Sequence, residues 1–544
     1  MAAPAAQTDR KVRLDLVRAA PDQVLTLKLV LHFIALVLPH MFIVLPIRIL
    51  FTHVLLRWRS PAVRVLGRTA LAEYVTKLAQ FILSRLHTAQ ARIIFDRVRS
   101  YKLVQQGPYF KGARDWVTRV EVNGTAGRWI AVPGTKRADD QVVLFFVHGG
   151  GFVLDTGANA QDLLLHAMKA LNLKKGIQAS VFCLDYRLAP EYKYPSQLIE
   201  TLAGYHYLVN TLGIKEDKIV IAGDSAGGNI ATAFLLHLAR PAKEIHVPAE
   251  LGPTPKRPGG AFLISPFINL ASLSTSSFAN TSYDFIDLGG GFRAACDYTG
   301  VTPPQTHRFT FPSVNPKWHL RLPHPHPPVE GEKLHTQHGW AHCEGIELFR
   351  SPYVNPVVQR DDKWWREAMP GDGRTVVAWG GKEIFADDDE ELFNRLEKAG
   401  VAPTKLVKQF GAHDWILHDW SVPTSWRTKA SGPESKFTYG LDALVGLLAR
   451  VAAAAKAPAP RAAQQTATAP VLAEAAAAPI GGASAAGAHV QGLEAEGSYA
   501  QVAAKEENVG DDAPVVAHGE GDVLTLSVEG SAVLVEKPKT TEVK

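Results

Sequence analysis

The chain has 544 residues, 46% of them apolar and 9% aromatic, with 58 basic against 53 acidic side chains and a net charge of +5. That length admits several average domains, or one large α/β unit with extensions. The near balance of charge, with no strongly basic block beside aromatics, argues against a nucleic-acid partner. Three cysteines, Cys183, Cys296 and Cys343, cannot build a disulfide framework.

Residues 1–24 are expected to form a flexible N-terminus. From Leu29 to Ile47 there is no Asp, Glu, Lys or Arg, close to the ~20 residues that span a bilayer. Residues 25–60 are therefore expected to be a membrane-associated or cap segment. A long basic stretch precedes it and no small-residue cleavage site follows, which favours a retained anchor over a removed signal peptide. Pro39, His40 and Pro46 would kink a spanning helix, so two short helices lying in the interface or packed on the catalytic domain are the alternative. Basic residues flank both sides and give no firm orientation. The sequons Asn123-Gly124-Thr125 and Asn280-Thr281-Ser282 would suit a lumenal domain. The expected location is a membrane of the endoplasmic reticulum, with a single N-terminal anchor; a cytoplasmic location is the alternative.

A catalytic domain is expected over residues 61–456. Thr69 to Ala91 has helical spacing, with Leu71, Tyr74, Leu78 and Ile82 three and four apart. Trp116–Val122 and Gly127–Val132 flank the turn signal Asn123-Gly124 and predict an edge hairpin. The unbroken apolar run Val142–Val147 suits a strand covered on both faces. Similar runs at 179–184, 219–222, 260–264, 376–379 and 406–410 alternate with helical stretches such as 196–212 and 387–399, which predicts an α/β fold with a mostly parallel sheet. The rhythm fails over 272–359, read as an insertion. Its His307, His319, His324, His326, His335, His338 and His342 could in principle hold a metal, but irregular spacing without carboxylates reads as a solvated loop. A last helix is expected over Tyr439–Lys456. Residues 457–544, rich in Ala, Pro, Gly and Thr, are expected to be a disordered tail.

The chemistry centres on Gly223-Asp224-Ser225-Ala226-Gly227-Gly228-Asn229, between the apolar run 219–222 and a helical stretch. Strand, tight turn and helix around Gly-x-Ser-x-Gly lift a serine hydroxyl out of a sheet, so Ser225 is the candidate nucleophile. A serine needs a base, a carboxylate to orient that base, and donors for the oxyanion. His148-Gly149-Gly150-Gly151 follows the strand 142–147. The amides of Gly149 and Gly150, with that of Ala226 after the nucleophile, are the predicted oxyanion donors. His148 is read as holding the loop.

These two motifs, with Asp185-Tyr186-Arg187-Leu188-Ala189-Pro190-Glu191 between them, resemble the hormone-sensitive-lipase branch of the α/β-hydrolase superfamily over about 118–451. With its apolar N-terminus the chain is most similar to the arylacetamide deacetylase and fungal steryl acetyl hydrolase group. The resemblance implies an α/β-hydrolase fold and a serine carboxylic-ester hydrolase. It gives Tyr186, Arg187 and Glu191 a structural role in bracing the oxyanion loop. The order Ser, acid, His places the acid after the strand 375–379. There Glu383 occupies the position where that family usually has Asp, with Asp387 and Asp388 as rivals that read as helix N-terminal residues. His413, at the end of the last strand, is the predicted base, and His418 its rival. No metal or organic cofactor is required.

The expected substrate is a lipophilic ester, deacetylated from a sterol-like or other apolar alcohol. A broad carboxylesterase or neutral-lipid lipase is the alternative within the enzyme class. A non-catalytic small-molecule receptor on the same fold is the alternative from another class, and the histidine at 413 speaks against it. A membrane surface is the other expected partner; oligomeric state is left open.

Overall fold

The computed structural model describes residues 12–56, 61–66, 68–272, 274–301, 345–421, 436 and 438–456, with two strand segments at 523–528 and 531–536. The chain divides into two compact units, Met1–Arg461 and Ala462–Lys544. In the second, Val523–Val528 pairs antiparallel with Ser531–Glu536. This corrects the expectation of an entirely disordered tail: two short runs rich in Val and Leu flank Glu529-Gly530, a hairpin signal hidden by the surrounding composition. The rest of that tail, and the histidine-rich stretch 303–342, lie outside the described residues.

The first unit is built on an eight-stranded sheet: β1 (Val117–Val122), β2 (Thr125–Ile130), β3 (Val142–Val147), β4 (Ala179–Leu184), β5 (Ile219–Asp224), β6 (Gly260–Ile264), β7 (Thr375–Gly380) and β8 (Thr404–Lys408). Their order is β1-β2-β4-β3-β5-β6-β7-β8. β2 runs antiparallel to both neighbours, and β3 to β8 are parallel. The run Val142–Val147 is wholly buried. Its period-2 geometry sends Val143, Phe145 and Val147 into one core layer with Phe182 and Phe234. Val142, Leu144 and Phe146 enter the opposite layer with Leu163, Leu447 and Leu448. Two covered faces explain why the run does not alternate.

Two N-terminal expectations change, and the apolar segment between them takes one of its two expected forms. Residues 12–24 are not a free extension. Leu14 joins the core and Val12 and Leu16 pack against it, while the Val17 amide donates to Ser196 Oγ (2.8 Å) and that of Ala19 to the Glu191 carbonyl (2.8 Å). The alternation Val12, Leu14, Leu16 against Arg13 and Asp15 is the strand-like signal that marks this stretch. The apolar segment, expected as a single anchor with two short helices as the alternative, is one helical run, Leu27–Leu55. Wide π turns at Phe33–Val37, His40–Val44 and Leu50–Leu55 accommodate Pro39 and Pro46 without breaking it. The helix expected over 69–91 is split into Ala70–Arg85 and Thr88–Ile94, with His87 capping the second through the Ala89 amide.

Candidate functional site

Ser225 sits at φ 50°, ψ −118° between β5 and the helix Ala226–Ala239. An L-residue adopts a positive φ only under constraint. Here the Ser225 amide donates to the Ile264 carbonyl (2.9 Å) and the Ser225 carbonyl accepts from Phe267 (3.0 Å). The flanking glycines are required by close approach: a Cβ on Gly223 would lie 2.4 Å from the Gly227 carbonyl oxygen, and one on Gly227 2.0 Å from that of Val147.

Ser225 and His413 line one cavity of about 350 Å³, with Gly150, Gly151 and Ala412 beside them. One wall is apolar and comes from the segment before the sheet: Ala72, Val75, Thr76, Ala79 and Leu83 of Ala70–Arg85, and Ala91 of Thr88–Ile94. Phe267, Phe285, Phe385 and Ala294 form the other.

His413 is fully buried, with Nδ1 3.8 Å from Glu383 Oε2 and Nε2 3.3 Å from Asp414 Oδ2. Phe285 and Phe385 meet its ring edge-on at 5.7 and 5.3 Å. Burial, and then the neighbouring His418, lower its pKa to about 3, so the imidazole is a neutral proton acceptor at neutral pH. Glu383 is also fully buried; its Oε2 accepts from Ser265 Oγ (2.7 Å) and the Gly380 amide (3.1 Å). Burial pushes this carboxyl upward, while its hydrogen bonds from Ser265, Gly380 and the neighbouring Asp389 pull it back down.

The rivals do other work. Asp387 Oδ2 accepts from the Ser276 amide (2.8 Å) and Asp388 Oδ1 from Asn269 Nδ2 (2.8 Å), so both hold the 269–277 segment against the helix Ala386–Lys398. His418 also lines the cavity, and its ring meets Phe285 edge-on at 4.9 Å.

The oxyanion prediction needs one correction. The Gly149 amide donates to Asp224 Oδ1 (2.9 Å), and Gly149 is not among the cavity-lining residues. Gly150 and Gly151 do line it, and among the described residues neither gives its amide to a protein acceptor. Of the three predicted donors, Gly150 lines the cavity, while Gly149 and Ala226 are not among its lining residues. Asp224, raised to about 7 by burial, fastens the loop to β5. Tyr186 braces the same loop, its hydroxyl donating to the His148 carbonyl (2.9 Å) and its ring stacking on His148 at 4.2 Å.

Arg187 and Glu191 do not touch that loop. Arg187 pairs with Glu200 (2.7 Å). Glu191 pairs with Arg92 (2.6 Å), whose other nitrogens donate to the Val153 (2.9 Å) and Ala189 (2.7 Å) carbonyls. That clasp docks Thr88–Ile94 beside the cavity.

Both sequons are engaged. Asn280 is buried and donates Nδ2 to the Glu383 carbonyl (2.9 Å), and Asn123 Nδ2 donates to the Ala203 carbonyl (3.2 Å). Neither supports a lumenal catalytic unit.

Three residues escape sequence reasoning. Asp284 accepts from the amides of Ile384 (2.8 Å) and His413 (3.2 Å), tying the acid loop to the base loop. Ser265 donates to Glu383 and accepts from the Asp414 amide (3.1 Å). Asp389 lies in the first turn of Ala386–Lys398, buried against Glu383. Asp284 carries no local signal, whereas Ser265 follows a strand end, the usual place for site residues in such sheets.

Residues 144–294 match a family model described as alpha/beta hydrolase fold. The chain has the α/β-hydrolase fold. Within that fold it is similar to an esterase of Acinetobacter venetianus, 31% identical over 142 residues that cover 26% of this chain and 41% of that protein. It is also similar to esterase LipU of Mycobacterium tuberculosis, 32% identical over 151 residues covering 28% and 42%. The chain thus spans less than half the length of each. A solved esterase of the bacterial hormone-sensitive lipase family is 21% identical, with a TM-score of 0.45 over 70% of this chain and 97% of that one.

Proposed function

We propose that the protein is a serine carboxylic-ester hydrolase acting on lipophilic esters. The observation that carries this reading is Ser225, held at φ 50° on a strand-to-helix turn and facing the same cavity as a neutral, buried His413 backed by Glu383. His413 takes the hydroxyl proton as Ser225 attacks the ester carbonyl. Glu383 stabilises the imidazolium that forms. The amides of Gly150, Gly151 and Ala226 receive the oxyanion, aided by the N-terminus of Ala226–Ala239. The alcohol leaves with the proton from His413, and water then releases the acyl group by the same steps in reverse.

The apolar wall supports an apolar alcohol or acyl group, and the resemblance to steryl acetyl hydrolases supports deacetylation of a bulky one. The names of the esterase relatives support the reaction class. Membrane association belongs to the same reading. Within Leu27–Leu55 an 18-residue window has a mean hydropathy of 2.3 and is 11% buried, and the run packs on the cavity-wall helix through Tyr74 Oη to the Met41 carbonyl (2.9 Å) and His40 stacked on Phe81 (3.9 Å). A substrate drawn from lipid would meet the cavity beside this helix.

The test is hydrolysis of p-nitrophenyl acetate and a longer-chain ester by wild type and Ser225→Ala. The variant is expected to lose turnover by about 10⁴-fold or more; wild-type rates in the variant would refute the nucleophile. The wild-type chain-length preference, and retention in the pellet after carbonate washing, read out substrate and anchor.

A further inference from the structure

We propose that Asp389 is a positioning residue of this site: its carboxyl holds the proton of a pair formed with Glu383 and donates it to Glu383 Oε1, leaving Glu383 as the anion that faces His413. The inference rests on the reading of Glu383 above.

Both side chains are fully buried. Glu383 Oε2 has two donors, Ser265 Oγ and the Gly380 amide. Glu383 Oε1 and both Asp389 carboxyl oxygens have no partner in a network that lacks carboxyl protons, yet the two carboxyls lie within hydrogen-bonding reach of each other. Two acceptors cannot bond without a proton between them. Among the described residues neither carboxyl pairs with Lys or Arg, so two adjacent negative charges would stand uncompensated in a water-free pocket.

The other ionisable groups facing the pair sharpen this. Asp388 on the same helix, Asp414 beside the base and Asp284 across the loops are all acids, and His413 is neutral. One proton therefore resides on the pair. It belongs to Asp389, because Glu383 accepts two hydrogen bonds that stabilise its charge and Asp389 accepts none. Burial and the Glu383 charge both push Asp389 upward. Catalysis moves no proton through Asp389. Its O–H fixes the carboxylate and keeps it ionised when the imidazolium forms.

The test compares two substitutions of nearly the same shape. Asp389→Leu removes the donor and is expected to lower kcat on p-nitrophenyl acetate about 10- to 100-fold, the worth of one hydrogen bond to a charged acceptor, with KM unchanged. The acid limb of its pH profile moves to higher pH, because Glu383 then protonates more readily. Asp389→Asn keeps an N–H donor and is expected to restore most of the lost kcat and return the acid limb. Independently of turnover, the infrared spectrum at pH 7 should lose one protonated-carboxyl carbonyl band in Asp389→Asn, while those of Asp224 and Asp388 remain. Equal losses in both variants, no loss in either, or no such band would overturn the proposal. If Ser225→Ala left hydrolysis unchanged, the triad reading would fail by itself, and the infrared band would still decide where the proton lies.

Discussion

Replacing Ser265 should separate the strain at this site from its hydrogen bonding. Ser265 lies at φ 41° directly after β6, donates to Glu383 (2.7 Å) and accepts from the Asp414 amide (3.1 Å). Ser265→Ala deletes a hydrogen bond to a charged group, about 1.5–3 kcal/mol, and leaves a buried amide unpaired, about 1–3 kcal/mol. Shared relaxation makes about 3–5 kcal/mol a fair sum for the loss of unfolding free energy. Ser265→Gly loses the same bonds but removes the left-handed penalty, and should be about 1 kcal/mol more stable than the alanine variant. Urea unfolding followed by circular dichroism, with m unchanged, reads both values. If alanine and glycine are equally stable, strain at this position is not stored as argued; if alanine matches wild type, the two hydrogen bonds carry no weight.

Stability should fall as pH rises from 6 to 8. Burial raises Asp224 and Asp388 to about 7 and Asp284 to about 6. The folded chain therefore binds more protons than the unfolded one between pH 6 and 8, and loses stability as pH rises through those values. Burial lowers His413 to about 3 and His418 and His237 to about 4. Below pH 6.5 the unfolded chain alone protonates these histidines, which offsets the carboxyls and flattens the profile there. Melting temperatures from pH 5 to 9 check this, and a steady rise towards pH 8 would contradict it. At Gly149 an added Cβ would lie 2.3 Å from Asp224 Oδ2 and 2.8 Å from its carbonyl oxygen. Gly149→Ala should displace the donor loop and lower kcat by about 10²- to 10³-fold, measured on p-nitrophenyl acetate; activity within twofold of wild type would mean the loop is not held there.

The strands and the positions of Ser225, Glu383 and His413 were legible because each follows a local rule: buried apolar runs, a glycine-flanked serine, and residues just past strand ends. What could not be read depends on neighbours distant in the chain. The Gly149 amide is claimed by Asp224, 75 residues away. Glu191 holds Arg92 rather than the loop it follows, and Asn280 spends its amide on Glu383. Pro39 and Pro46 raised the alternative of two short helices, which π turns remove by absorbing a proline that a strict α ladder would reject.

The clasp of Arg92 on Glu191, Ala189 and Val153 joins two stretches with separate duties. On the proposed reading, everything that reacts lies after β3, and much of what selects lies before β1. Such a division makes the first hundred residues an exchangeable mould. Transplanting a different helical preface onto the same sheet would change which esters enter and leave the bond-breaking apparatus intact.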